Sequence, residues 1–110
     1  MNDRVKVESY RIIHIVKYFA VTRSTSPAAV INRKGVENAL QGRFNEALNL
    51  FLEALKEDPD MAAAYNNLGI VYEVFGRKDE SFAMYSRACL IEPDNTRFRK
   101  NFLYIKEGVR

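Results

Sequence analysis

Few side chains in this chain of 110 residues are of types that do chemistry, and those few lack the neighbours their chemistry needs. His14 is the only histidine, which excludes a histidine-pair metal site or a relay between two imidazoles. A lone histidine base would need an oriented nucleophile beside it, and none is suggested. Cys89 is the only cysteine, so an internal disulfide and a cysteine-rich zinc site are both excluded. Glu53, Glu57, Asp58 and Asp60 gather carboxylates without the loop glycines and ligand spacing of a cation site, and they read as a solvated helix end. Gly76-Arg77-Lys78 lacks the rest of a phosphate-binding loop and reads as a turn between helices. The expectation is no catalytic group, no metal and no cofactor.

A second set of polar side chains recurs instead of clustering. Sliding the sequence against itself by 34 residues puts Arg33, Asn67 and Asn101 in one row and Asn32, Asn66 and Lys100 in its neighbour. Val36, Ile70 and Tyr104 make an apolar row beside them. Asparagine offers a donor and an acceptor to a peptide backbone, arginine and lysine can meet a carboxylate, and an apolar row can seat side chains. Plain solvated helix surface is the alternative reading, since repetition of any helix face produces such rows.

The rows need elements to hold them, and the same offset of 34 supplies these. Gly35 aligns with Gly69, Gly42 with Gly76, Phe51 with Tyr85, Ala54 with Ala88, Pro59 with Pro93 and Asp60 with Asp94. In the second unit Tyr65, Leu68, Gly69 and Tyr72 share one helix face, and Gly76 ends that helix by taking the left-handed conformation. A second helix from Asp79 to Ile91 carries Ser81, Tyr85 and Ala88 on one face. Pro93 closes it, because proline forbids continuation. The first unit follows the same plan with Gly42, then Ala47, Phe51 and Ala54, then Pro59.

These residues resemble the tetratricopeptide repeat, a helix-turn-helix unit of about 34 residues with the pattern W-x₂-L-G-x₂-Y…A-x₃-F…P. The second unit, 62–95, matches through Tyr65, Leu68, Gly69, Tyr72, Tyr85, Ala88 and Pro93, with Ser81 where the pattern has alanine. The first, 28–61, keeps Gly35, Ala47, Phe51, Ala54 and Pro59 but has Ile31, Lys34 and Asn38 at positions that are usually large and apolar. The resemblance implies an all-α fold, a short right-handed superhelix of antiparallel helix pairs, whose concave side holds extended peptides or partner helices. It therefore places the three rows along a binding groove. Family members that grip a terminal carboxylate use five positions, of which Asn67 and Arg97 match here while Asn32, Val36 and Asn101 depart. The candidate partner-binding residues are Asn32, Arg33, Val36, Asn66, Asn67, Ile70, Arg97, Lys100, Asn101 and Tyr104.

Stacked repeats need end caps. Residues 96–110 offer one in the stripe Phe98, Phe102 and Ile105, with Leu103 replacing the repeat glycine. At the other end Ile12, Ile15, Val16 and Phe19 predict a leading helix, roughly Val5 to Thr22, burying against the Ile31 end of the first repeat. Ser26 then serves as N-cap and Pro27 as first helical residue. The expected organisation is one domain: leading helix and linker over 1–27, repeats over 28–61 and 62–95, and a capping helix over 96–110.

Charge divides along the chain although the net is +3. Residues 1–34 carry seven basic and two acidic side chains, residues 35–95 five and eleven, and residues 96–110 five and one. An acidic middle repels phosphate, and no basic run is interleaved with aromatics, so nucleic acid is disfavoured as a partner. The apolar run Tyr10 to Val21 is too short for a membrane span and is interrupted by Arg11, His14 and Lys17, which also spoil a secretory signal. The functional expectation is a non-catalytic, cytoplasmic adaptor or assembly subunit that binds a protein segment. A self-associating scaffold, possible through the charge division, is the first alternative, and an RNA-associated module using the basic ends is the second.

Overall fold

Ser26 and Pro27 open the first helix as expected: the Ser26 Oγ accepts the Ala29 N–H at 3.2 Å, and Pro27 occupies a first-turn position where no N–H is needed. In the computed structural model, which describes residues 19–108, this helix α1 spans Pro27–Leu40. It is followed by α2 (Phe44–Glu57), α3 (Ala62–Val74), α4 (Lys78–Ile91) and α5 (Thr96–Glu107). The described residues contain no strand. Helix α1 packs on α2 and α3 on α4, while α2 against α3 and α4 against α5 join the pairs. The breaks fall where the sequence puts them. Gly42 and Gly76 take φ of 78° and 74°, and α2 and α4 stop two residues before Pro59 and Pro93.

The repeat glycines inside α1 and α3 have a packing role. A Cβ on Gly69 would lie 2.5 Å from the Tyr85 ring, and one on Gly35 would lie 2.5 Å from the ring of Phe51. Each ring is fully buried and packs directly against the glycine of the first helix of its own repeat. The glycine therefore sets how closely the two helices of a pair approach, which is why it recurs at the same spacing from the aromatic.

The repeats differ at positions that are coupled in space. Tyr85 donates to the Glu73 Oε1 at 2.6 Å, both residues being buried. The equivalent pair in the first repeat is Phe51 and Ala39, which are also buried and entirely apolar. Ser81, which stands where the family has alanine, is fully buried and donates to the Gly69 carbonyl at 2.7 Å, so its hydroxyl is satisfied; its first-repeat equivalent is Ala47.

Helix α5 packs on α4 at the end of the second repeat. The Asn95 side chain accepts the Phe98 N–H at 3.1 Å and starts the helix. Phe98 and Ile105 are buried, and Phe102 lies with its ring centroid 5.1 Å from that of Phe82. Leu103 points outward.

Of the leading helix expected over residues 5–22, only 19–22 are among the described residues. Residues 19–22 are not helical, and Ile12, Ile15 and Val16 lie outside the described residues. Phe19 is buried, but against the main core that contains Phe51, its ring centroid 6.1 Å away, whereas Ile31 packs on a separate cluster. The reason is polar: the backbone of residues 19–24 is bonded by side chains of the repeats, which a helix, whose own carbonyls and N–H groups are paired internally, would not offer.

Candidate functional site

Four asparagines from three helices form one continuous hydrogen-bonded chain. Asn101 on α5 donates to Asn66 Oδ1 at 2.7 Å, and Asn66 donates to Asn67 Oδ1 at 3.2 Å. Asn67 on α3 donates to the Asn32 Oδ1 of α1 at 2.9 Å. All four are fully buried. An amide can occupy the interior only if both its ends are paired, and passing the donor of each to the acceptor of the next meets that condition. The links between helices join residues 35 apart, so they cross diagonally from one expected row to the other.

The end of this chain closes on the backbone of Ala20. Asn67 Oδ1 accepts the Ala20 N–H at 2.7 Å, and Asn67 Nδ2 donates to the Ala20 carbonyl at 2.8 Å. Asn32 Nδ2 donates to the same carbonyl at 3.0 Å. The arginines continue the grip on either side. Arg97 donates to the Phe19 carbonyl at 3.2 Å, and Arg33 to the carbonyls of Thr22 and Ser24 at 2.7 and 2.8 Å. The rows that the sequence marks for a partner's backbone are thus engaged by a segment of the chain itself. Phe19 and Ala20 are buried in this seat, whereas residues 21–25 are exposed. Beside Val21 and Thr22 lies an open cavity of about 530 Å³, bordered by Glu92, Asp94, Asn95, Thr96 and Arg97.

The remaining sequence candidates divide. Val36 and Ile70, two of the three residues of the apolar row, are buried in the same cluster as Phe19. Lys100 and Tyr104 are exposed, away from the Ala20 contacts. Asn32, Asn66, Asn67 and Asn101 are fully buried residues in a paired network and not solvated helix surface. Phe19 and Ala20 were not legible as site residues. Their apolar run carries only a helical stripe, and no local pattern marks a backbone that side chains will grip.

Cys89 lies half-buried at the edge of the second apolar cluster, and burial pushes its thiol up from the ordinary value, opposed by the charge of Arg99. Desolvation of this kind disfavours the thiolate, the nucleophilic form of the side chain. Among the described residues no group of three or more His, Cys, Asp or Glu could hold a metal ion, and no helix is long and apolar enough to cross a membrane.

Five helices, with glycine and aromatic partners repeated at one spacing and no strand among the described residues, define an α-helical repeat protein. A tetratricopeptide repeat family model matches residues 40–96, just over half of the chain, and the chain belongs to that family. It is also similar to two plant proteins, each described as a probable UDP-N-acetylglucosamine–peptide N-acetylglucosaminyltransferase SPINDLY. With the Oryza sativa subsp. japonica protein it shares 35% identity over 66 residues, which is 60% of this chain and 7% of the relative. The Hordeum vulgare protein matches to the same extent. The chain thus spans a small fraction of these relatives. The tetratricopeptide repeat is a non-catalytic fold of protein–protein interaction.

Proposed function

We propose that this chain is a non-catalytic adaptor or assembly subunit that holds a protein segment in the groove formed by α1, α3 and α5. The observation that carries this reading is the double contact of Asn67 with Ala20. One side-chain amide takes both backbone groups of one residue, at 2.7 and 2.8 Å, with Asn32 reinforcing the carbonyl. Arg33 and Arg97 likewise bond carbonyls. Such a set grips a main chain whatever its side chains, which suits a module that binds a protein segment and leaves its covalent structure untouched. The catalytic activity in the names of the two plant relatives belongs to proteins of which this chain matches 7%.

The test is selection of peptides from a random library displayed on phage, with the full chain as bait. Recovered peptides should bind the wild-type chain and lose affinity to Arg33→Ala and Arg97→Ala variants of unchanged helicity. A failure to recover any peptide, or peptides indifferent to both substitutions, would overturn the groove assignment.

A further inference from the structure

The resident segment discloses what the groove selects. Phe19 is 7% exposed and stacks on Phe51 with an interplanar angle of 28°, inside the cluster that includes Val36 and Ile70. Ala20 is 6% exposed, packed in the cluster with Ala28, Ala63 and Phe98 while both its backbone groups are bonded, so a longer side chain at that position would have to displace that packing. Beyond it the contacts change in kind. Val21 is 56% exposed, and Arg33 bonds the carbonyls of Thr22 and Ser24. The seat therefore specifies an aromatic residue, then a small residue, then backbone alone.

The segment is also held in a way that allows it to leave. Its partners lie on three helices, at separations of 12, 47 and 78 residues, and between Ala20 and Pro27 the chain is exposed. Release would break these side-chain contacts, while the hydrogen bonds of the five helices stay made. We propose that residues 19–24 are an intramolecular pseudo-ligand, and that the cognate partner is a protein segment with an aromatic residue followed directly by a small one, which binds by displacing them. This inference rests on the groove being a peptide site, as proposed above. A tethered competitor lowers the apparent affinity for an incoming segment by the fraction of time the groove is open, so freeing the groove strengthens binding without adding any contact.

The experiment uses the full chain and a fluorescent peptide of the sequence YFAVTRST, with titrations followed by polarisation. In the Ala20→Arg chain, and independently in the Phe19→Ser chain, the resident segment no longer fits, and both should bind the peptide at least about tenfold more tightly than the wild type. Peptides in which the phenylalanine is changed to serine, or the alanine to arginine, should bind the freed chains at least about tenfold more weakly than the parent peptide. In the wild type, saturating peptide should shift the Ala20 amide resonance to a solvent-exposed state. Equal affinity of wild-type and freed chains would overturn the pseudo-ligand. If the freed chains bind all three peptides equally, and Arg33→Ala weakens each, the groove binds backbone but the aromatic–small selectivity is wrong. No binding of any peptide to either freed chain, at wild-type helicity, would remove the peptide site itself. A wild-type chain that sediments as a dimer and dissociates on Ala20→Arg substitution would show the occupant to be a second copy, against the proposal.

Discussion

Asn67 holds Ala20 by both ends of one amide, accepting its N–H at 2.7 Å and donating to its carbonyl at 2.8 Å across a sequence separation of 47 residues. The same amide bonds Asn32 and Asn66, so one side chain ties α1, α3 and the resident segment together. Support for the fold and recognition of a backbone are here functions of a single residue.

Replacement of Asn67 by alanine should therefore cost stability as well as binding. It leaves the buried Ala20 N–H without its partner and removes a donor from Asn32, and each buried polar group left unpaired costs about 1–3 kcal/mol. Urea unfolding of Asn67→Ala should show a loss of at least about 1 kcal/mol, and Arg33→Ala, which touches exposed carbonyls, a loss of under about 1 kcal/mol. Equal stability of the two variants would contradict the burial argument.

Gly69→Ala should destabilise the second repeat although alanine is the better helix former. The added Cβ would meet the Tyr85 ring at 2.5 Å, and that ring is fully buried with its hydroxyl bonded to Glu73. Overpacking of this kind costs about 1–3 kcal/mol, against about 1 kcal/mol gained in helix propensity. A thermal melt showing a higher midpoint for the variant would refute the close-approach role.

Tyr85 and Glu73 should prove coupled. Tyr85→Phe removes the 2.6 Å bond to a buried carboxylate, and Glu73→Ala removes it from the other side. The double variant recreates the apolar pair that the first repeat already has in Phe51 and Ala39. It should lose less stability than the two single losses together, with a coupling of about 0.5–3 kcal/mol in a double-mutant cycle. Strict additivity would mean that the bond contributes nothing.

Cys89 gives the pH dependence. Its thiol is pushed up from 9.0 in the folded chain by burial, so the unfolded chain loses this proton first. The resulting contribution to stability is constant below the ordinary thiol range and falls as pH rises from there through the folded value. Between about pH 8 and about pH 10 the wild type should lose more stability than Cys89→Ala, and at about pH 8 its thiol should react with a disulfide reagent more slowly than free cysteine does. Parallel pH profiles with a fast-reacting thiol would show that the site is not desolvated.

The sequence by itself determined the helices and their pairing, because their signals are local. A glycine at positive φ, a proline two residues past a helix end, and an aromatic opposite a repeat glycine each act within one repeat, and all recur at the offset of 34. It also determined which face carries the amides, since residues at equal places in stacked repeats share a side. Tertiary structure decided the rest. The asparagines join at a separation of 35, across the rows, because hydrogen bonds between neighbouring helices depend on how far one helix is displaced along the other. It also decided that residues 19–22 abandon the helix their apolar spacing suggests. Backbone groups taken by Asn67 and Arg97, 47 and 78 residues away, are unavailable to an internal helix ladder, and contacts at that range leave no mark on the local pattern of Phe19, Ala20 and Val21.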